Sequence, residues 1–418
     1  MKLFAEFHHS GDHEGAWRLP TARPDRTNDA GYYVERARIA AEGGFSHVFF
    51  ADFVGYDPVV RHQVRWPFEP TTLLGAVAAT VPDIGVVATG STVFASPDDL
   101  VDTFATLQDV SGGRAGWNIV TAGAPVAAAA FGREAVPAHD ARYDAADAVV
   151  DHVRAAFTEE TRPLFVQAGA SPRGRTFAAR HADAVFAATP DREAARAFRD
   201  DLHARAAALG RPAPLLLPGF LVTLGSTDEE ARRRRRQLDD LLSEGTIATL
   251  LDQFGLDLPG VGLDDRLPDG LVTGAGFQGI RSRAAVLEGV ARELGPDVTL
   301  RGLVRHVAGS RGHLQHTGTP EAIAEIMADW VGAGAADGFV VKFSHNPGGA
   351  EDFVDGVTPL LRAPGTARHI TLTRAGDPGG LPARVPDPPP ARRPRSRRRP
   401  GLSSLTPVSR LDNPQDPP

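Results

Sequence analysis

Short apolar runs alternate with segments of helical spacing along most of the chain. "KLFAEF", "FSHVFFAD", "IGVVAT", "RAGWNIVT", "LFVQAG", "AVFAA", "LLLPGFLVTLG" and "DGFVVKF" read as strands. Between them, "AGYYVERARIAAEGG", "TTLLGAVAATV", "PDDLVDTFATLQDVSGG", "HDARYDAADAVVDHVRAAF", "TDEEARRRRRQLDDLL" and "TPEAIAEIMADWVGAG" repeat their apolar positions every three to four residues. Strands that are apolar throughout are buried on both faces, which is the habit of parallel sheets with crossover helices. About eight βα repeats in one chain predict a closed (β/α)8 TIM barrel rather than an open sheet. The barrel domain is expected over residues 1–363. An insertion, Gly/Pro-rich and then helical, is expected before the last strand, at about 243–317.

The 418 residues carry 42% hydrophobic side chains, enough for a large core, and a net charge of −7. That charge is uneven. Residues 364–418 hold ten Arg against four Asp, and 13 of the 34 prolines. A proline-broken basic segment without apolar period is expected to be a disordered tail. Its basic stretch "ARRPRSRRRP" is a poor basis for nucleic-acid binding. The absence of cysteine removes disulfides, thiolate metal sites and a cysteine nucleophile. The N-terminus has no signal-peptide pattern, and no apolar run reaches the roughly 20 residues of a membrane helix. A cytoplasmic protein with no membrane partner is the expectation.

Function in a barrel sits at the C-terminal ends of its strands. Polar residues gather there: His8 and His9, Asp52, Thr89, Asn118 with Thr121, Gly169 to Ser171, and Lys342 to His345. In "QAGASPRGR", Ser171 suits an N-cap and Pro172 the first helical position, and the free N–H groups of such a helix start can hold an anion. His139 and Tyr143 stand four apart on one helix face. The same helix carries Asp140, Asp144, Asp147 and Asp151, read as a solvated stripe. "HHSGDH" lacks metal-site spacing, and no metal is expected. "GAGFQG" matches a dinucleotide fingerprint, but no strand precedes it, so it reads as a loop.

The chain resembles the flavin-dependent monooxygenases of the bacterial-luciferase superfamily, in particular the nitrilotriacetate, dibenzothiophene-sulfone and long-chain-alkane monooxygenase group. The resemblance rests on "FHHSGDHEGAWRLP", "FFAD", "FEPTTLLGAVAATVPDIGVVATGST", "SGGRAGWNIVT", "FGREAVPAHDARYDAADAVV", "VQAGASPRGRTFAARHADAVFAA", "LPGF" and "GTPEAIAEIMADWVGAGAADGFVV", in that order. It implies a luciferase-like barrel that binds reduced FMN supplied by a separate flavin reductase, and uses O2 to oxygenate a small organic substrate. Carried over by position, Asp52, Thr89, His139, Tyr143 and Ser171 would contact the flavin. Asn118 and His13 are near-flavin candidates, and no catalytic base is named. A homo-oligomer is expected. A deazaflavin-dependent oxidoreductase of the same barrel, or a non-catalytic flavin-binding member, are the alternatives. The chain departs from the group after Phe157, where only "TEETRPL" precedes "FVQAG" in place of several dozen residues.

Overall fold

The computed structural model describes residues 1–52, 60, 68–256, 258, 260–268 and 281–362. Nine parallel strands form its sheet: β1 (Lys2–Glu6), β2 (His47–Phe50), β3 (Gly85–Ser91), β4 (Ala115–Val120), β5 (Leu164–Gln167), β6 (Ala184–Ala187), β7 (Leu215–Leu224), β8 (Leu314–Gly318) and β9 (Gly338–Phe343). The helices are α1 (Ala30–Glu42), α2 (Pro70–Thr80), α3 (Pro97–Ser111), α4 (Pro125–Ala130), α5 (His139–Ala155), α6 (Pro172–His181), α7 (Arg192–Ala208), α8 (Asp228–Asp240), α9 (Glu244–Gln253), α10 (Arg281–Leu294), α11 (Leu300–Val307), α12 (Pro320–Gly332), α13 (Gly349–Asp352) and α14 (Thr358–Arg362). None of the described helices is long and apolar enough to cross a membrane.

Eight strands close the ring expected from the sequence. β1 to β7 pair in order, β7 pairs β9, and β9 pairs β1 from Lys2↔Gly338 to Glu6↔Lys342. The period-two alternation then sorts each strand into two layers. Phe4, Phe49, Val87, Leu164, Val166, Ala184, Leu217 and Val340 fill the barrel interior. Their neighbours Leu3, Ala5, Val48, Val86, Ala88, Trp117 and Phe165 pack outward under the helices. The helices start where the sequence offers caps: Ser96, Ser171, Asp191, Thr227 and Thr319 each accept an N–H of the first turn.

In "SGGRAGWN", α3 ends on Gly112 at φ 62°, ψ 44°, and Gly113 follows at φ 85°. Two successive left-handed residues reverse the chain, a conformation only glycine adopts without strain. Arg114 then donates to the carbonyls of Ala78, Val81 and Ile84 at the end of α2. Trp117 points outward, donating to Gly90 O at 3.0 Å and meeting Phe165 edge-on at 5.6 Å. Asn118, one position on, therefore points into the barrel.

The expected insertion hides a strand. β8, "LQHTG", lies within 243–317 except for its last residue and pairs the second half of β7, whose first half pairs β6. Its polar residues are only partly buried, apart from Gly318, so no apolar run announced it. Helices α9 and α11, with part of α10, bury their own cluster of Ile247, Leu250, Leu287, Leu303 and Val304. The short α5–β5 connection is tied down: Gln108 Nε2 donates to the carbonyls of Thr161 and Arg162, and Arg162 pairs with Asp183 at 2.6 Å. "GAGFQG" and the tail from 364 lie outside the described residues.

His47, at the bottom of β2, is buried against Phe4, with ring centroids 4.4 Å apart. Burial, with Lys2 and Arg114 nearby, lowers its pKa to about 3. A depressed native pKa means that its contribution is intact above the unfolded value near 6.5 and is lost as pH falls toward 3. Between pH 6.5 and 4.5 this group alone should cost about 2.3 kcal/mol of stability. Urea unfolding at both pH values should show that loss in the wild type, and a smaller one in His47→Gln. Equal losses would show that His47 is not the titrating group.

Candidate active site

Residues paired in register share a face of the sheet, so the inward-facing set follows around the ring. At the C-terminal end this set is Glu6, Thr89, Asn118, Phe186, Leu221 and Lys342. These side chains form the floor of the barrel mouth. Directly below them the interior is apolar, with His47 beside Phe4 at the bottom of the barrel.

One side of the floor is ionic. The Lys342 ammonium contacts the Glu6 carboxylate and lies 2.6 Å from Asp12, and His8 Nε2 is 3.5 Å from both acids. All four are buried. Burial alone would raise the Glu6 carboxyl, but Lys342 and His8 beside it hold it below its ordinary value. Asp12 is pushed up by burial, against the pull of Lys342 and His8. Lys342 keeps its proton because the two acids outweigh its burial. Glu6, His8 and Asp12 place ligand-type atoms within 4.8 Å of one another, as a metal would need. The ammonium already supplies the positive charge between the two acids.

The opposite side is uncharged. Thr89 Oγ1 donates to Phe50 O at 3.0 Å, which leaves its oxygen free only to accept. Asn118 Nδ2 donates to it at 3.0 Å. This chain fixes which way the Asn118 amide turns. Among the described residues, Asn118 Oδ1 is buried without a hydrogen-bond partner, which is rare for a polar atom in a protein interior.

Next to this side, the starts of α5 and α6 meet. Ser171 caps α6 by accepting from Gly174 N at 3.0 Å, and its hydroxyl is 3.3 Å from His139 Nε2. The rings of His139 and Tyr143 are 5.1 Å apart. The Tyr143 hydroxyl lies against the backbone of Gly169 and Gly174; a Cβ would stand 2.5 Å from it at Gly169 and 2.9 Å at Gly174. Both glycines are therefore required by Tyr143, with no need for unusual backbone angles. The helices are clamped by Arg173 to Asp144 (2.8 Å) and Asp147 (2.5 Å), His181 to Asp147 (2.7 Å) and Arg180 to Asp151 (2.6 Å). The carboxylate stripe faces solvent as expected at Asp140, Asp144 and Asp151, which stay exposed while they pair; Asp147 alone is drawn into the α5–α6 contact.

The structure brings His139, Tyr143 and Ser171 together in one corner, and Thr89 and Asn118 in another. Asp52 stands just beyond β2, partly buried. His13 departs from expectation. Its Nδ1 accepts from Gly15 N at 3.1 Å, so Nε2 carries the proton and donates to Asp239 at 3.0 Å. Neither nitrogen is left for a ligand; the ring ties the loop after β1 to α8. Sequence reasoning had missed the partnership of Glu6 with Lys342. The signal was an acid and a lysine at inward positions of the first and last apolar runs. An open cleft of about 410 Å3 lies elsewhere, between α8, α11 and β8. Its Arg235 is committed to Asp239, Gln315 and the Arg305 carbonyl.

Comparison with known proteins agrees with this fold. Residues 2–337 match the profile of the luciferase-like monooxygenases. The chain is 31% identical to N-acetyl-S-(2-succino)cysteine monooxygenase of Bacillus subtilis (strain 168), over 86% of this chain and 91% of that protein. It is 31% identical to nitrilotriacetate monooxygenase component A of Aminobacter aminovorans, over 88% and 93%. Among solved structures it is similar to the EDTA monooxygenase of Chelativorans sp. BNC1, with a TM-score of 0.69, 29% identity, and 89% and 97% of the two chains covered. The chain belongs to the luciferase-like monooxygenase family, and it is a flavin-dependent monooxygenase.

Proposed function

We propose that this protein is the oxygenating component of a two-component system, taking reduced FMN from a separate flavin reductase. The observation that carries the reading is the corner where α5 and α6 begin. A helix start with a hydroxyl cap can hold a phosphate, and His139, Tyr143 and Ser171 converge on this one within one hydrogen bond and one ring contact. The buried acceptor of Asn118 fits the same cofactor, because an orphan Oδ1 at a barrel mouth calls for a donor that the described residues do not provide. The relative from Aminobacter aminovorans is itself named a component A, which supports a divided system.

Ser171 and the Arg173 N–H at the start of α6 would hold the phosphate, His139 and Tyr143 would flank it, and Thr89, Asn118 and Asp52 would meet the rest of the cofactor. When bound, the reduced flavin activates O2 and supplies one oxygen atom to a small organic substrate. The protein's part is to orient the two and keep water out. The apolar interior under Phe186 and Leu221 serves that exclusion. A cytoplasmic location and a homo-oligomeric state belong to this proposal.

Two outcomes test it. Ser171→Asp keeps a good N-cap, so the flavin-free protein should melt nearly where the wild type does. It also sets a carboxylate against a phosphate, a repulsion of about 4 kcal/mol per unit charge at 4 Å and an effective dielectric of about 20. Anaerobic titration should show reduced-FMN affinity falling at least about a hundredfold. Ser171→Ala should cost about 1 kcal/mol of stability and far less affinity. Wild-type binding by Ser171→Asp would put the phosphate elsewhere. The second outcome concerns the reductase. The purified protein with FMN should not oxidise NADH until a flavin reductase is added, and robust oxidation without one would overturn the two-component reading.

A further inference from the structure

Reduced and oxidised flavin differ at the ring nitrogens. Reduction places hydrogen on a nitrogen that is a bare acceptor in the oxidised ring, so an acceptor site becomes a donor. A protein can read that difference only with a group whose own hydrogen-bonding sense is fixed. An amide that is free to turn would satisfy either form.

The floor of the barrel mouth holds such a group. The Thr89 hydroxyl spends its proton on the Phe50 carbonyl. Its oxygen must then accept, and it accepts from Asn118 Nδ2. Turning the Asn118 amide over would set Oδ1 against an oxygen with no proton to give. The amide is therefore locked with Oδ1 as the end that finds no partner among the described residues, and this atom is buried. Across the floor, Lys342 is taken up by Glu6 and Asp12, so its ammonium does not compete for that acceptor. Phe186, between them, is apolar.

We infer that Asn118, oriented by Thr89, is the residue by which this site distinguishes reduced from oxidised flavin. This rests on the flavin reading above. The locked acceptor pairs with a ring N–H and faces a lone pair when that hydrogen is gone. A site that pairs with one form and opposes the other discriminates more strongly than one that merely gains a contact. The consequence suits a protein whose reduced flavin arrives by diffusion and whose oxidised flavin must leave after each turnover.

The test is anaerobic titration of wild type and Asn118→Leu with reduced FMN and, separately, with oxidised FMN. The wild type should bind the reduced form more tightly. Asn118→Leu should lower the ratio of the two dissociation constants about tenfold or more, while oxidised-FMN affinity changes less than about threefold. By linkage the midpoint potential of the bound flavin should move about 30 mV more negative for that tenfold change. If circular dichroism shows Asn118→Leu unfolded, Asn118→Ala carries the same readout. Equal weakening of both forms would make Asn118 a structural residue, or one that meets a group unchanged by reduction, and would overturn the inference. So would a wild type with no preference. Failure of the wild type to bind either form would instead remove the flavin reading itself.

Discussion

The ammonium of Lys342, held between Glu6 and Asp12, organises the functional end of the barrel. It sits on the seam where the last strand meets the first and the ring closes. Two carboxylates buried side by side are unaffordable without a cation, and leaving one partner of such a group unpaired costs roughly 3–5 kcal/mol. The loop after β1 is drawn over this seam, Asp12 N donating to Phe343 O and His13 N to Ser344 O. His13 then passes the constraint to Asp239 on α8. The chain has only two lysines among its 45 basic Lys and Arg residues, Lys2 and Lys342, and both are buried on the closing strands. A compact ammonium with donors in three directions suits a crowded seam better than a planar guanidinium.

The ring itself was legible because every strand in it is apolar on both faces, and the residues that cap its helices are strong local signals. The layer each side chain occupies was legible too, once register is known: in "GWN" the tryptophan goes to the helices and the asparagine to the mouth. β8 escaped because its pairing edge is polar and half-exposed, so nothing distinguished it from a loop. At the α5–α6 corner the sequence showed the cap and the His–Tyr spacing. The aspartate stripe was legible as a solvated face, but the pairing of Asp147 was not, because its partners Arg173 and His181 lie on another helix about 30 positions away, and periodicity within one helix cannot see across the contact. The use of Gly169 was hidden in the same way. The backbone there is approached by Tyr143, which only the fold brings near. His13 looked like a ligand-facing histidine; its partner lies 226 residues on.

The corner and the floor are built on different principles. The corner is polar and lies at helix starts, stabilised by ion pairs that are partly exposed and so individually weak. The floor is buried, with Lys342 held by Glu6 and Asp12 on one side and Asn118 held by Thr89 on the other. A cofactor spanning both would be anchored at a solvated end and oriented at a dry one.

That β7 reaches β9 directly has a structural consequence. β8 and the helices before it hang from one edge of β7, and part of that excursion carries its own apolar cluster. The barrel's hydrogen-bonded circuit is complete without it. Lengthening, shortening or exchanging the excursion therefore leaves the pairing of the other eight strands untouched. Such a segment is a topological cassette, attached to the ring at one strand and not needed to close it.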